Sequence, residues 1–139
     1  MIRKVVVGAD GSPASTAALR WTAELAHSMG ATVVVVHAAG LIERAASGRD
    51  NQAEFEDDVR RRVERDWCGP LRDRGVLHHV VVRSGPPVTT LLEVAADGAD
   101  LVVVGRRGAG APDAPQLGSS SLQLVAESAV PVVVVARPA

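Results

Sequence analysis

Short runs of valine alternate along this chain with longer stretches whose apolar residues recur every three or four positions. The runs are Lys4–Gly8, Thr32–His37, Val76–Arg83, Leu101–Gly105 and Val132–Ala136. They are nearly continuous in apolar side chains, which predicts parallel strands buried on both faces. The intervening stretches read as helices. In the first, Ser12 suits an N-cap and Pro13 the first helical position. Ala18, Thr22, Leu25, Ala26 and Met29 follow as the expected apolar stripe, and Gly30 as the left-handed stop. In the second, Phe55, Val59, Val63 and Trp67 recur at intervals of four. Glu56–Arg60, Asp57–Arg61 and Asp58–Arg62 are acid-before-base pairs on its solvated face, each worth a few tenths of a kcal/mol. The third places Val88, Leu91, Leu92 and Ala95 on one face. The fourth runs from about Ser119 to Ser128. Residues 40–53, GLIERAASGRDNQA, show no period and read as a loop.

MGATVVVV, RGVLHHVVV and DGADLVVV repeat one punctuation, a helix stopped at glycine and a strand begun within three residues. Alternating strands and helices predict an α/β fold, doubly wound about a parallel sheet with helices on both faces. A length of 139 residues fits one domain, 1–139, and 47% hydrophobic residues can fill its core.

Composition narrows the chemistry. A net charge of −1 and 2% aromatics without tyrosine argue against a nucleic-acid partner. Cys68 is the only cysteine, which excludes an intrachain disulfide and does not make a metal cluster. The apolar start is too short for a signal-peptide core, and no apolar run reaches the ~20 residues of a membrane helix. The expectation is a soluble cytoplasmic protein without a membrane partner.

Ligands in doubly wound sheets sit beyond the carboxyl ends of the strands. GADGSP follows the first strand, HAAG the second, RSGPP the third and GRRGAGAPDAPQLGSSS the fourth. The last combines glycines, Arg106, Arg107 and the hydroxyls of Ser119, Ser120 and Ser121 at a helix start. That set fits a polyphosphate held by backbone N–H groups. It fits equally a surface loop with an ordinary Gly-Ser cap. A P-loop is excluded, because Lys4 is the only lysine and opens a strand. A dinucleotide fingerprint is excluded by the spacing of Gly8 and Gly11. A phosphorelay receiver is excluded by Arg83-Ser84-Gly85 and Ala136-Arg137, which replace its acid and its lysine.

Gly105, Gly108, Gly118 and Ser119 spell G-x2-G-x9-G-[ST]. With VVVGADGSPAS, LAHSMGATVVVVHAAG, SGPPVTTLLEVAADGADLVVVGRRG and AVPVVVVA in order, the chain resembles the universal stress protein family in its ATP-binding branch. The resemblance implies a five-stranded sheet of order 3-2-1-4-5 with ATP where strands one and four meet. It implies that Ala9 and Asp10 face the nucleotide, Asp10 toward the ribose or a phosphate-bound Mg²⁺. Ala38 or its neighbour would contact adenine through the backbone. Val104 and Gly105 would line the ribose side. Arg107, Gly108, Gly118, Ser119 and Ser120 would surround the phosphates. It also implies a homodimer through the Val132–Val135 strand, whose apolar edge would otherwise lie open. The loop departs from the pattern in carrying two prolines and Asp113, and residue 120 is serine where valine is frequent.

The implied function is a nucleotide-dependent regulator of stress or dormancy with a protein partner the sequence does not identify. The competing classes are a slow ATPase, a binder of AMP or cyclic AMP, and a nucleotide-free interaction protein. No catalytic residue is assigned, because only Asp10 and Asp113 offer a general base and no lysine is placed to stabilise a transition state. Elsewhere, His37 reads as a strand-end structural histidine. His78 and His79 alternate across a strand and cannot share a metal. Cys68 reads as a packed thiol, and Arg60–Arg62 with Arg65 as a solvated face.

Overall fold

The computed structural model describes residues 1–107 and 117–136. Its strands are β1 (Lys4–Gly8), β2 (Thr32–Ala39), β3 (His78–Ser84), β4 (Leu101–Gly105) and β5 (Val132–Val135). They form one parallel sheet of order β3-β2-β1-β4-β5. The helices are α1 (Pro13–Met29), α2 (Leu41–Ser47), α3 (Gln52–Trp67), α4 (Gly69–Asp73), α5 (Pro87–Ala95) and α6 (Ser119–Glu127).

Strand side chains alternate between two cores. Val5, Val7, Val33, Val35 and Val103 pack on one face with Ala18 and Leu19 of α1 and Phe55, Val59 and Val63 of α3. Val6, Val34, Val36 and Val102 pack on the other with Val88, Leu91 and Val94 of α5 and Leu124 of α6. Burial on both faces accounts for the unbroken valine runs. The expected order and the two-sided covering are present.

The helix stops behave as their glycines require. Gly30, Gly75 and Gly98 have φ of 66°, 64° and 83°. Ser12 caps α1 by accepting from the Ser15 N–H, and Pro13 opens the helix. The stripe of α1 is rotated from the expected one. Ala18, Leu19, Thr22, Ala23 and Ala26 are buried, whereas Met29 is 41% exposed. Met29 is the last residue of α1, at the very end of the helix.

Two helices appear that no apolar period announces. Residues 41–47, read as loop, form α2, and none of its residues is buried. Polar contacts hold it: Glu43 pairs with Arg62 of α3, and the Arg44 guanidinium donates to the Asp50 carbonyl. Arg62 therefore turns to Glu43 rather than to Asp58, and Asp58 takes Arg49 and Arg61. Of the expected i,i+4 pairs, Asp57–Arg61 forms at 2.7 Å. The five residues of α4 then bury Leu71 before β3 begins.

Candidate functional site

The strand order reverses between β1 and β4, so the chain leaves these neighbours toward opposite sides and opens a crevice. Beyond β1 the turn is interlocked. The Asp10 carboxylate accepts the Ser12 N–H at 2.9 Å, and the Ser15 hydroxyl accepts the Asp10 N–H at 3.3 Å. Asp10 thus serves as a turn former with one carboxylate oxygen while staying exposed at the crevice. Ala9 is buried, its N–H spent on the Val36 carbonyl at 2.9 Å. Gly11 has φ of 80°, and a Cβ there would sit 2.7 Å from the Trp67 ring.

Beyond β4 the signature glycines divide the work. A Cβ on Gly105 would lie 2.6 Å from the backbone carbon and oxygen of Ala14, so Gly105 lets α1 cross directly over the strand end. Gly118 is different. Its φ of −64° and ψ of 156° are open to any residue, and its nearest Cβ neighbour would be the Arg107 Cα at 3.4 Å. The Gly118 N–H donates to the Arg106 carbonyl at 3.0 Å and closes the neck of the loop. The Ser121 hydroxyl donates to the Gly105 carbonyl at 2.9 Å and ties α6 to β4. The N–H groups of the first turn, Ser119 to Ser121, have no helical partner by geometry and carry the positive end of the helix dipole.

These elements enclose a cavity of about 330 Å³, within the range of roughly 300–1,000 Å³ typical of small-molecule sites. Ala9, Asp10, Ala38, Val104, Gly105, Arg107, Gly118, Ser119 and Ser120 all line it. The chain brings together every expected site residue among the described ones. Gly108, Asp113 and the loop prolines lie outside the described residues.

The cavity also has walls that no motif marked. Val36, Pro87, Leu91 and Leu124 add an apolar side, and Ser15, His37 and Ser121 add polar atoms. The usable signal was positional. Pro87 follows the third strand, and Ser15 and Ser121 each lie in the first turn of a helix that follows a strand.

His37 is the most constrained of these. Only 7% of it is exposed. Its Nδ1 lies 2.8 Å from the Ala9 carbonyl, so this nitrogen carries a proton and donates. Its Nε2 lies 3.0 Å from Glu43, and the Trp67 ring stands edge-on to it at 5.1 Å between centroids. Burial works against the charge on Glu43, but bonds and charges from His37 and then Arg62 outweigh it and hold the carboxyl below its ordinary value. His37 is thus a strut from the β1 loop to α2, as its strand-end position suggested, and a wall of the cavity as well.

No helix of the described residues is long and apolar enough to cross a membrane. A sequence model of the universal stress protein family matches residues 1–136. A universal stress protein of Mycobacterium tuberculosis strain H37Rv is 36% identical over 141 residues, spanning 96% of this chain and 44% of the relative. The chain therefore spans about half the length of that mycobacterial protein. A universal stress protein of Thermus aquaticus is 31% identical over 142 residues, spanning 97% of this chain and 99% of the relative. Among solved structures, a universal stress protein in complex with cAMP aligns with a TM-score of 0.78 at 24% identity over 99% of each chain. The Archaeoglobus fulgidus universal stress protein in complex with dAMP aligns with a TM-score of 0.69 at 21% identity, over 98% of this chain and 100% of its own. Those two likenesses are of fold. The family model and the Thermus relative reach further, and the chain belongs to the universal stress protein family.

Proposed function

We propose that this chain binds ATP with Mg²⁺ in the crevice between β1 and β4 and acts in the cytoplasm as a dimeric, nucleotide-dependent stress or dormancy regulator. The observation that carries the reading is the cavity's polarity. Apolar Val36, Leu91, Val104 and Leu124 line one 330 Å³ space together with the α6 N-terminus and Arg107. A nucleotide pairs the same two characters, a flat base and anionic phosphates. Helix N-termini favour such anions through unpaired N–H groups and the dipole.

In this reading the Ala38 backbone meets the adenine, and Val104 and Gly105 border the ribose. The first turn of α6, with Gly118, Ser119, Ser120 and Arg107, receives the phosphates together with Gly108. Asp10 reaches the ribose or the Mg²⁺, which would offset phosphate charge. The residues suit this load, because Asp10 is exposed at the cavity and its turn bond occupies one carboxylate oxygen. Binding rather than turnover is the expected output. The one lysine, Lys4, opens β1 and pairs with Asp97 instead of serving the cavity. The open edge of β5 would pair with its copy in a second chain.

A second reading keeps the site and shortens the ligand to AMP or cyclic AMP. It is favoured by the two structural relatives solved with cAMP and dAMP. One thermal-shift series on wild type and Gly118→Val tests both. At a hundredfold excess over Kd, the favoured nucleotide stabilises by about 2.7 kcal/mol, or roughly 5–10 °C. The shift disappears in Gly118→Val, whose backbone angles tolerate valine while its side chain crowds the loop neck. No shift with any adenine nucleotide, in protein shown to carry none from purification, sinks the proposal. Light scattering on the same samples reads the dimer, and a monomer at micromolar concentration removes that part.

A further inference from the structure

The end of α3 and the start of β3 bring three ligand-bearing side chains together, none of which lines the cavity. Glu64 and Cys68 stand four residues apart at the end of the helix, so they share one face. His78 is the first residue of β3. The ligand atoms of Glu64, Cys68 and His78 all lie within 4.8 Å of one another. Cys68 is fully buried, the His78 side chain is 10% exposed, and the Glu64 side chain is 41% exposed. The cluster is therefore walled in on the sulfur and imidazole sides and open through the carboxylate.

The imidazole is already turned as a ligand. Its Nδ1 lies 2.8 Å from the Val76 carbonyl, which can only accept, so Nδ1 carries the proton. Nε2 then points at the two Glu64 oxygens, 3.0 and 2.9 Å away. A backbone carbonyl that fixes the tautomer and aims the other nitrogen at the metal is the usual support of a ligating histidine. The last turn of α3 is also clamped, since the Arg72 guanidinium donates to the backbone carbonyls of Glu64 and Arg65.

We propose that Glu64, Cys68 and His78 form a site for one divalent transition-metal cation of the zinc class, with a fourth position left to water or an outside ligand. The donor set of one sulfur, one nitrogen and one oxygen suits such an ion and not Mg²⁺ or Ca²⁺. Tetrahedral zinc bonds set neighbouring donors roughly 3.4 Å apart. The Glu64–His78 contact must open by a few tenths of an ångström, and the sulfur closes from within the 4.8 Å span. Bound as thiolate and carboxylate, Cys68 and Glu64 offset the two positive charges of the cation, so the filled site is neutral beside Arg72, 3.5 Å from Glu64.

Cobalt titration of the untagged full-length chain, with a non-thiol reductant, tests this. The expected result is a thiolate-to-cobalt charge-transfer band that saturates at one cobalt per chain and is displaced by zinc. Zinc at a hundredfold excess over its Kd raises the thermal midpoint by about 9 °C. Cys68→Ala, which keeps the site apolar and packed, and His78→Gln both abolish the band. Glu64→Gln weakens binding by roughly tenfold or more. The wild-type spectrum decides even where a variant folds poorly. Cobalt bound without the sulfur band, through the exposed His27 or His79, overturns the proposal. So does a band that survives His78→Gln, or no saturable binding at all.

Discussion

His37, near the end of β2, and His78, at the start of β3, are held by almost the same bonds. Each sets Nδ1 2.8 Å from a backbone carbonyl and Nε2 about 3 Å from a glutamate. Their third neighbours differ. His37 meets the edge of Trp67, and His78 meets the thiol of Cys68. Those neighbours are adjacent in sequence at the end of α3, where successive side chains point about 100° apart and so serve two places. The lesson concerns what makes a histidine chemical. Two hydrogen bonds orient the ring in both places. An aromatic neighbour leaves His37 as a strut, whereas a sulfur donor turns the same posture into a ligand set. Burial, and then the charge of Glu64, push the Cys68 thiol up to about 12, so it stays protonated and unreactive without a cation.

The largest test of that division is Trp67→Ala. Removing the ring from beside His37 and Gly11 costs about 3 kcal/mol in urea unfolding and shrinks the nucleotide-induced shift. Cobalt absorption at the His78 site persists. Its loss would show that the two histidines belong to one unit.

Next come the histidines themselves, in metal-free protein. His37→Ala costs about 2 kcal/mol, because the Ala9 carbonyl and Glu43 lose a partner in a mostly buried place. His78→Ala costs about 1 kcal/mol, because the half-exposed Glu64 regains water. Equal losses would erase the distinction between a strut and a ligand.

The smallest effect is the pH signature of the strut. The carboxyl of Glu43 is held below its ordinary 4.5, with His37 and Arg62 as the facing groups. A depressed carboxylate contributes stability that is complete above its unfolded pKa and fades as pH falls through its folded one. Wild type should exceed Glu43→Gln by roughly 0.5–1 kcal/mol at neutral pH. The gap should close as pH drops below about 4.5. A gap that widens in acid would mean that Glu43 does not hold α2 through its charge.

Much of the fold was legible because its signals are local. Gly30, Gly75 and Gly98 take left-handed angles that other residues resist, so they mark helix ends wherever the chain goes. Of the glycine–serine signature, Gly105, Gly118 and Ser119 line the cavity, and Gly108 lies outside the described residues. The stripe of α1 was misjudged by Met29, since periodicity finds a face and not how far along the helix burial extends. Helix α2 escaped because its support is Glu43 meeting His37 and Arg62, contacts without a period. Gly105 was read as a ribose neighbour, and its closest constraint is the backbone of Ala14.

The sequence by itself determined the alternation of strands and helices, the two-sided burial of the sheet and the family signature. Each depends on torsional preference or on apolar spacing within a few residues. Only the tertiary structure decided that Val36, Leu91 and Leu124 would form one wall, that Arg62 would reach Glu43, and that His78 would meet Cys68 while Trp67 went to His37. Those pairings depend on how α3, α5 and α6 lie across the sheet. That placement is set by the packing of the whole core, which no short stretch of residues contains.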